Sequence, residues 1–209
     1  MFASVVGRYQ ICLFKIYRRI DRRANRTLTS PMSVELNEPT AENLKRVMSS
    51  WPTGVGLITT TSSQVDGLTG SVGEPRAVDK PVGILCNSLA SISLEKKLIL
   101  WSVDHSSSTY QYWMEAKTWA VHFLADDQQN IIEQFKQKGA LNKFENIEYS
   151  LSKEGNPILS GAVAILHCNT VNFVKTYDHT VILGEVINLE IFDKNPMVYA
   201  FSKFTSYGS

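Results

Sequence analysis

Gly83-Ile84-Leu85-Cys86-Asn87-Ser88-Leu89-Ala90-Ser91-Ile92-Ser93-Leu94 is the stretch that decides how this chain is read, with Asp104-His105-Ser106-Ser107-Ser108-Thr109-Tyr110 close behind it. In the first, an apolar β-prone run gives way to small hydroxyl and amide residues. In the second, a strand opens onto a serine-rich helix start. Together they offer neutral hydrogen-bond donors, approachable backbone and an anion site, with almost no charged side chain suited to catalysis. Such a surface suits a protein that holds a phosphorylated planar cofactor and leaves the chemistry to it. The same residues would also make an ordinary β-hairpin rim with solvated serines, and on spacing alone both readings stand.

On either side of this stretch, short strands alternate with inserted helices. Leu44, Val47 and Met48 recur at helical spacing behind Thr40, which predicts a helix over 40–50 with Thr40 as N-cap. Trp51-Pro52-Thr53-Gly54 ends it, and Val55–Thr61 reads as a β-branched strand. A long polar loop is expected over 62–82, punctuated by Gly67, Gly70, Gly73, Pro75 and Pro81. Strands are expected near 82–88, 98–103 and 118–124, with a helix from about Ser107 through Ala116. A second polar helix is expected over 126–137, its Ile131, Ile132 and Phe135 on one face. Two long strands near 162–175 and 180–192 and a short one near 197–201 complete the pattern. The expected fold class is mainly β with inserted helices, closed into an antiparallel barrel. With no internal repeat and no GxGxxG, a Rossmann unit is not supported.

Composition bounds the class. The chain has 209 residues, 44% hydrophobic and 10% aromatic, enough for one globular domain with a sizeable core. Residues 1–30 carry seven Lys/Arg against one acid, Asp21, so residues 1–35 read as a basic, disordered extension and 36–209 as the functional domain. That domain is mildly acidic, which argues against a nucleic-acid partner. The extension is Arg-rich and acid-poor like an organelle-targeting presequence, and its longest apolar run, Ile11–Phe14, is too short for a membrane span. Cys12, Cys86 and Cys168 are sparse, odd in number and form no CxxC pair. They point to a reducing compartment: the cytoplasm is expected, with organelle targeting as the alternative. His105, His122, His167 and His179 show no ligand spacing, so no metal is expected.

The residues divide by chemistry. Ser106, Ser108 and Thr109 combine hydroxyls with backbone N–H groups at a helix start, suited to a phosphate or to simple capping. Asn87 and Ser88, at a strand end, can bond a heterocycle edge or terminate a turn. Trp51, Pro52, Thr53, Gly54 and Val55 pair an aromatic with a tight turn where backbone can approach a ring. Asp178-His179-Thr180 lies in a hairpin, where His179 could orient a carboxamide, pass a proton or sit in solvent. No GxSxG elbow places a serine for acyl transfer, so chemistry by a bound cofactor is favoured.

These residues carry a resemblance. From Leu44 to Tyr207 the chain resembles the flavin reductase-like family, FMN-binding split barrels that serve as reductase components of two-component monooxygenases. Met48–Val55 looks like the family's F-x-T-G-V turn, and Asn87–Leu94 like its N-S-F-x-S-V-S-L element. Ser106–Thr109 matches its x-S-x-T helix start, and Trp119–Ala125 its F-A-V-N-V-L strand. Asp178–Val186 is close to D-H-T-I-F-I-G-E-V, and Pro196–Tyr199 with Phe204–Tyr207 resembles the closing segment. Glu95-Lys96-Lys97 replaces the family's Asp-Pro-Pro, leaving that turn looser or differently oriented. Leu89 stands for an aromatic, His122 for an asparagine, and the 62–82 loop is longer.

The resemblance implies an NAD(P)H:flavin oxidoreductase using FMN (or FAD), with NADH or NADPH as co-substrate. Residues 36–209 would form the split barrel. Thr53–Val55, with Trp51 and Pro52, and Asn87, Ser88, Ser91 and Ser93 would border the flavin ring. Ser106, Ser108 and Thr109 would hold its phosphate. Asp178, His179 and Thr180 would border the nicotinamide, with His179 as the orienting catalytic group. A homodimer with flavin at its interface and a partner oxygenase are also implied. An electron carrier or sensor, a related split-barrel oxidase and a flavin-free dimeric scaffold are the alternatives.

Overall fold

Gly56-Leu57-Ile58-Thr59-Thr60 forms the centre of the molecule because both of its faces are covered: every one of these residues is buried. In the computed structural model, which describes residues 38–65, 77–137 and 143–207, this run opens β2 (Gly56–Val65). Successive side chains alternate between faces, and the two faces pack differently. Ile58 points into a cluster with Trp101, Trp119 and Val121, whereas Leu57 packs with Leu124, Ile132 and Phe135. Thr59 and Thr60 sit at the same depth without penalty because their hydroxyls donate to the carbonyls of Pro157 (2.7 Å) and Thr118 (2.9 Å).

Around β2, the elements in chain order are α1 (Ala41–Ser49), β1 (Thr53–Gly54), β3 (Ala77–Cys86), β4 (Ala90–Ser93), β5 (Leu98–Asp104) and α2 (Tyr110–Glu115). They are followed by β6 (Thr118–Phe123), α3 (Gln129–Phe135), β7 (Ser150–Leu151), β8 (Pro157–Ile158), β9 (Ala164–Lys175), β10 (His179–Ile191), β11 (Met197–Ala200) and β12 (Lys203–Ser206). Seven strands form one antiparallel sheet in the order β3-β2-β6-β9-β10-β5-β4; β1-β11-β12 and β7-β8 are small sheets. The large sheet has β3 and β4 at its two edges, yet only Asn87–Leu89 join them. Four Cα steps reach at most about 15 Å, while seven flat strands measure about 29 Å from edge to edge. The sheet must therefore curl until its edges meet. The linker between the edges is tied to β5, whose Ser102 N–H donates to Ser88 Oγ at 3.0 Å.

The mainly β barrel with inserted helices follows the sequence pattern, with differences in detail. Thr40 caps α1 as expected, accepting from the Asn43 N–H at 3.2 Å. The 62–82 loop is shorter than expected, since β2 and β3 pair out to Val65 and Ala77; only 66–76, with Gly67, Gly70, Gly73 and Pro75, lies outside the described residues, as does the 1–35 extension. Pro81 sits within β3, tolerated because this is an edge strand. The Glu95-Lys96-Lys97 turn is tight rather than loose. Lys97 adopts φ 53°, its N–H reaches Leu94 O at 3.3 Å, and Ser93 Oγ accepts from the Lys96 N–H at 3.1 Å. The helix expected over 126–137 contracts to α3, because the Gln128 side chain is spent bridging Ala125 N–H and Ser160 O at 3.0 Å each.

Three tryptophans fill the barrel. Trp101 meets Trp113 and Trp119 edge-on at 5.1 and 6.0 Å between ring centroids. Gly184 makes this packing feasible, since a Cβ there would lie 2.3 Å from Trp119 Cζ2. On the outer face, Gly83 plays the same part for Phe135 of α3.

Candidate functional site

The turn after α1 builds the first wall of the site. Trp51 and Pro52 break the helix and stay exposed, and β1 then pairs with β11 through Thr53↔Tyr199 and Gly54↔Val198. Val55 O accepts from the Leu124 N–H, and the Met197 N–H donates to Leu124 O, which ties the turn to the end of β6. The result is a cleft of about 370 Å³ lined by Trp51–Gly56 and Asn87, with Leu89, Phe123, Val163 and Met197 as its apolar floor. Two features mark it as built for a ligand. Thr53 Oγ1 is buried with no partner, a cost of roughly 1–3 kcal/mol unless something binds it. A Cβ on Gly54 would meet nothing within 4 Å, so bare backbone faces open space there. Cys86 also lines the cleft, its thiol 3.3 Å from Ser88 Oγ and its pKa raised by burial.

A second cleft of about 660 Å³ adjoins the first, sharing Leu89 and Phe123. Ser91, Ser93, Lys97 and Asn188 are the polar residues of its wall, which is otherwise apolar with Leu94, Leu98, Ile187 and Leu189. Here β4 brings its serines alongside the start of β5.

β5 is the ruler for the remaining residues. Ser93 lies beside Leu98, Ser91 beside Ile99, Ser88 beside Ser102 and His179 beside Asp104. From Leu98 to Asp104 is about 20 Å at the usual strand rise. The Asp178–Thr180 and Ser106–Thr109 segments therefore gather at one end of β5, the clefts lie towards the other, and Ser88 stands between. At the far end the hydroxyls are largely committed to the protein itself. Ser106 N–H donates to Asp104 Oδ1 at 2.7 Å, and this bond holds the Asp104 carboxyl below its ordinary range. Thr109 makes no side-chain cap; its hydroxyl accepts from Trp113 Nε1 at 3.0 Å and lies 3.0 Å from Ser107 Oγ. Ser108 is exposed. The anion site expected here thus contains a carboxylate of its own.

His179 Nδ1 lies 2.8 Å from Asp178 Oδ1, and this bond lowers the Asp178 pKa. The His179 side chain is 40% exposed, so its imidazole is available from solvent. Thr180, by contrast, is wholly buried, with its hydroxyl 3.0 Å from His105 Nε2 and 2.9 Å from Tyr110 OH. Of the residues singled out in sequence, Trp51, Pro52, Thr53, Gly54, Val55, Asn87, Ser91 and Ser93 come together around the joined clefts. The sequence did not reveal Phe123, Val163 or Met197 as cleft residues, nor His105. The Ala125↔Pro196 bridge, which brings the Pro196 segment to the cleft, is a pairing distant in sequence with no local pattern.

An apolar floor, bare backbone at Gly54 and an unpaired hydroxyl at Thr53 fit a flat heteroaromatic ring with polar edges. Among the described residues no group of three His, Cys, Asp or Glu could hold a metal, and no helix is long and apolar enough to cross a membrane.

Known proteins share this architecture. The chain is 30% identical over 168 residues to the FMN reductase (NADH) SmoA of Agrobacterium fabrum, covering 79% of this chain and 87% of that one. It is 30% identical over 145 residues (69% of this chain) to the reductase component of the flavin-dependent trigonelline monooxygenase of Acinetobacter baylyi, spanning 42% of that protein's length. The structure of the NADH:FAD oxidoreductase SgcE6 of Streptomyces globisporus with NAD and FAD fragments superimposes with a TM-score of 0.71 at 28% identity, covering 84% of this chain and 98% of that one. A family described as the flavin reductase like domain matches residues 48–208, and the chain belongs to that family.

Proposed function

We propose that this protein is an NADH-dependent flavin reductase that binds FMN or FAD in the joined clefts and supplies reduced flavin to a partner oxygenase. The observation that carries the reading is the pairing of the unsatisfied Thr53 hydroxyl with open backbone at Gly54 in an apolar-floored cleft. NADH is chosen over NADPH because relatives bear it in their names. The oxygenase partner is inferred from relatives that are reductase components of monooxygenases. Bound flavin supplies a ring that takes up a hydride from reduced nicotinamide. The chain's own residues do the holding. Thr53 Oγ1 and the backbone of Gly54 and Val55 would bond one ring edge, with Trp51 and Pro52 flanking it. Asn87, Ser88, Ser91 and Ser93 border the other edge. The phosphate would lie towards Ser106–Thr109, where the exposed Ser108 hydroxyl would be its partner. Ser106 and Thr109 shape the turn through Asp104 and Trp113. His179, steadied by Asp178, would orient the nicotinamide carboxamide, next to the buried Thr180 whose hydroxyl is bonded to His105.

A homodimer belongs to this reading. α1 has no buried residue, and Leu44, Val47 and Met48 are exposed at 58–65%. Leu94, Ile187 and Leu189 of the larger cleft are exposed as well. Exposed apolar surface of this kind is what an association site offers, and an isologous contact with a second copy would cover it. Reduced, buried Cys86 and Cys168 are consistent with the cytoplasm as location.

Gly54→Val tests the site. The new side chain enters open space, so the thermal midpoint should hold while FMN affinity, read by quenching of flavin fluorescence, falls at least tenfold. Unchanged affinity would place the flavin elsewhere.

A further inference from the structure

His179 lies at the hairpin end of β10, where the Thr176 N–H and Oγ1 both donate to its carbonyl at 2.8 Å. Tyr177 at the tip is fully exposed, and Thr176, Tyr177 and Asp178 all face solvent. Sheet ends of this kind open locally unless side chains tie them down. Besides Thr176, His105 ties this end down, and it does so on both sides of His179. Its backbone N–H donates to Asp178 O at 2.9 Å, while its ring Nε2 lies 3.0 Å from Thr180 Oγ1. The residue before His179 and the residue after it are therefore held by one residue. The arrangement is itself braced. Tyr110 OH reaches the same Thr180 hydroxyl at 2.9 Å, and its ring meets that of His105 edge-on at 5.1 Å. The buried Thr180 hydroxyl can donate to one of these partners and accept from the other, which satisfies it completely.

We infer that His105 is a positioning residue for the reductase reaction: through Asp178 and Thr180 it fixes the backbone from which His179 meets the nicotinamide. The inference rests on the reading of His179 given above. It differs from a purely structural role because β10 already pairs with β5 and β9 at this level. The His105 ring adds nothing to the ladder hydrogen bonds; it restricts where His179 can sit. Placement errors of about 1 Å can change rates by up to about 10²-fold.

The test is a double-mutant cycle with steady-state kinetics at saturating FMN. His105→Phe keeps a ring against Tyr110 but removes the polar atom, and His105→Gln returns an amide near the position of Nε2. In the full chain, His105→Phe should raise KM for reduced nicotinamide about tenfold, with FMN affinity and thermal midpoint nearly unchanged. His105→Gln should recover most of the loss. In a His179→Ala background, His105→Phe should change KM no further. If the Phe variant does not fold, His105→Asn, whose amide is too short to reach Thr180, takes its place. Equal damage with and without His179, or a parallel loss of FMN affinity, would overturn the proposal and leave the reading of His179 standing. An unchanged KM in His105→Phe would do the same if His179→Ala raises it. An unchanged KM in His179→Ala would instead overturn the reading of His179, and the inference with it.

Discussion

Acidification should weaken this protein through His122. The side chain is completely buried on β6, where its Nδ1 lies 3.1 Å from Leu57 O and its Nε2 accepts the Leu159 N–H at 3.1 Å. These partners assign a neutral ring with its proton on Nδ1. Burial pushes the pKa down from 6.5 to about 4, outweighing the Leu57 carbonyl, which favours the charged ring; nearby His167 lowers it further and Glu190 raises it. The sign follows from proton counts. Above pH 6.5 both folded and unfolded chains carry neutral His122, and it contributes no pH dependence. Between 6.5 and 4 the unfolded chain takes up a proton that the folded one refuses, so stability falls as pH falls. Below 4 the loss is complete, at about 3 kcal/mol. The comparison is urea unfolding of wild type and His122→Asn at about pH 7.5 and about pH 4. The asparagine amide can mimic both hydrogen bonds imperfectly, so the variant should be about 1–2 kcal/mol less stable at neutral pH. That gap should close or reverse at the lower pH. A gap independent of pH would refute the reasoning.

Three further outcomes follow from the same structure. Gly184→Ala places a Cβ against Trp119, which cannot step aside because its Nε1 donates to Thr170 Oγ1 at 3.1 Å and its ring packs on Trp101. Denaturant unfolding should show a loss of about 1–3 kcal/mol; wild-type stability would mean that the barrel core yields freely. Ser108→Ala should weaken FMN binding several-fold and leave riboflavin binding unchanged, by titration calorimetry, and equal effects on both would remove the phosphate from this turn. Leu189→Asp, on the exposed apolar wall of the larger cleft, should shift the protein from dimer to monomer in sedimentation velocity. Wild-type sedimentation would exclude that face from the interface.

Legibility in the sequence tracks locality. α1 is legible because its cap, its apolar spacing and its Trp-Pro stop all lie between Thr40 and Pro52. β9 and β10 were readable from long β-branched runs. β4 is Ala-Ser-Ile-Ser, an alternation too short and too small-residued to announce a strand by itself; its pairing with β5 makes it one. The ends of β2 and β3 are polar because they lie towards an edge, so Ser62, Ser63, Asp79 and Lys80 read as loop yet pair. In the site, residue types were visible but not their commitments. Nothing in Ser106-Ser107-Ser108-Thr109 shows that Asp104 and Trp113 have already claimed two of its members. Nothing local to His105 announces its role, which depends on Thr180, 75 residues away.

The central claim is that this chain turns over reduced nicotinamide and flavin, and one anaerobic absorbance experiment on the full chain tests it most directly. Protein is mixed with a large excess of FMN, NADH is added, and the visible flavin band is followed. The account predicts that each protein molecule bleaches many equivalents of FMN, faster with NADH than with NADPH. A flavin-bound spectrum that neither nucleotide bleaches would contradict it, leaving a flavin-binding barrel without reductase activity.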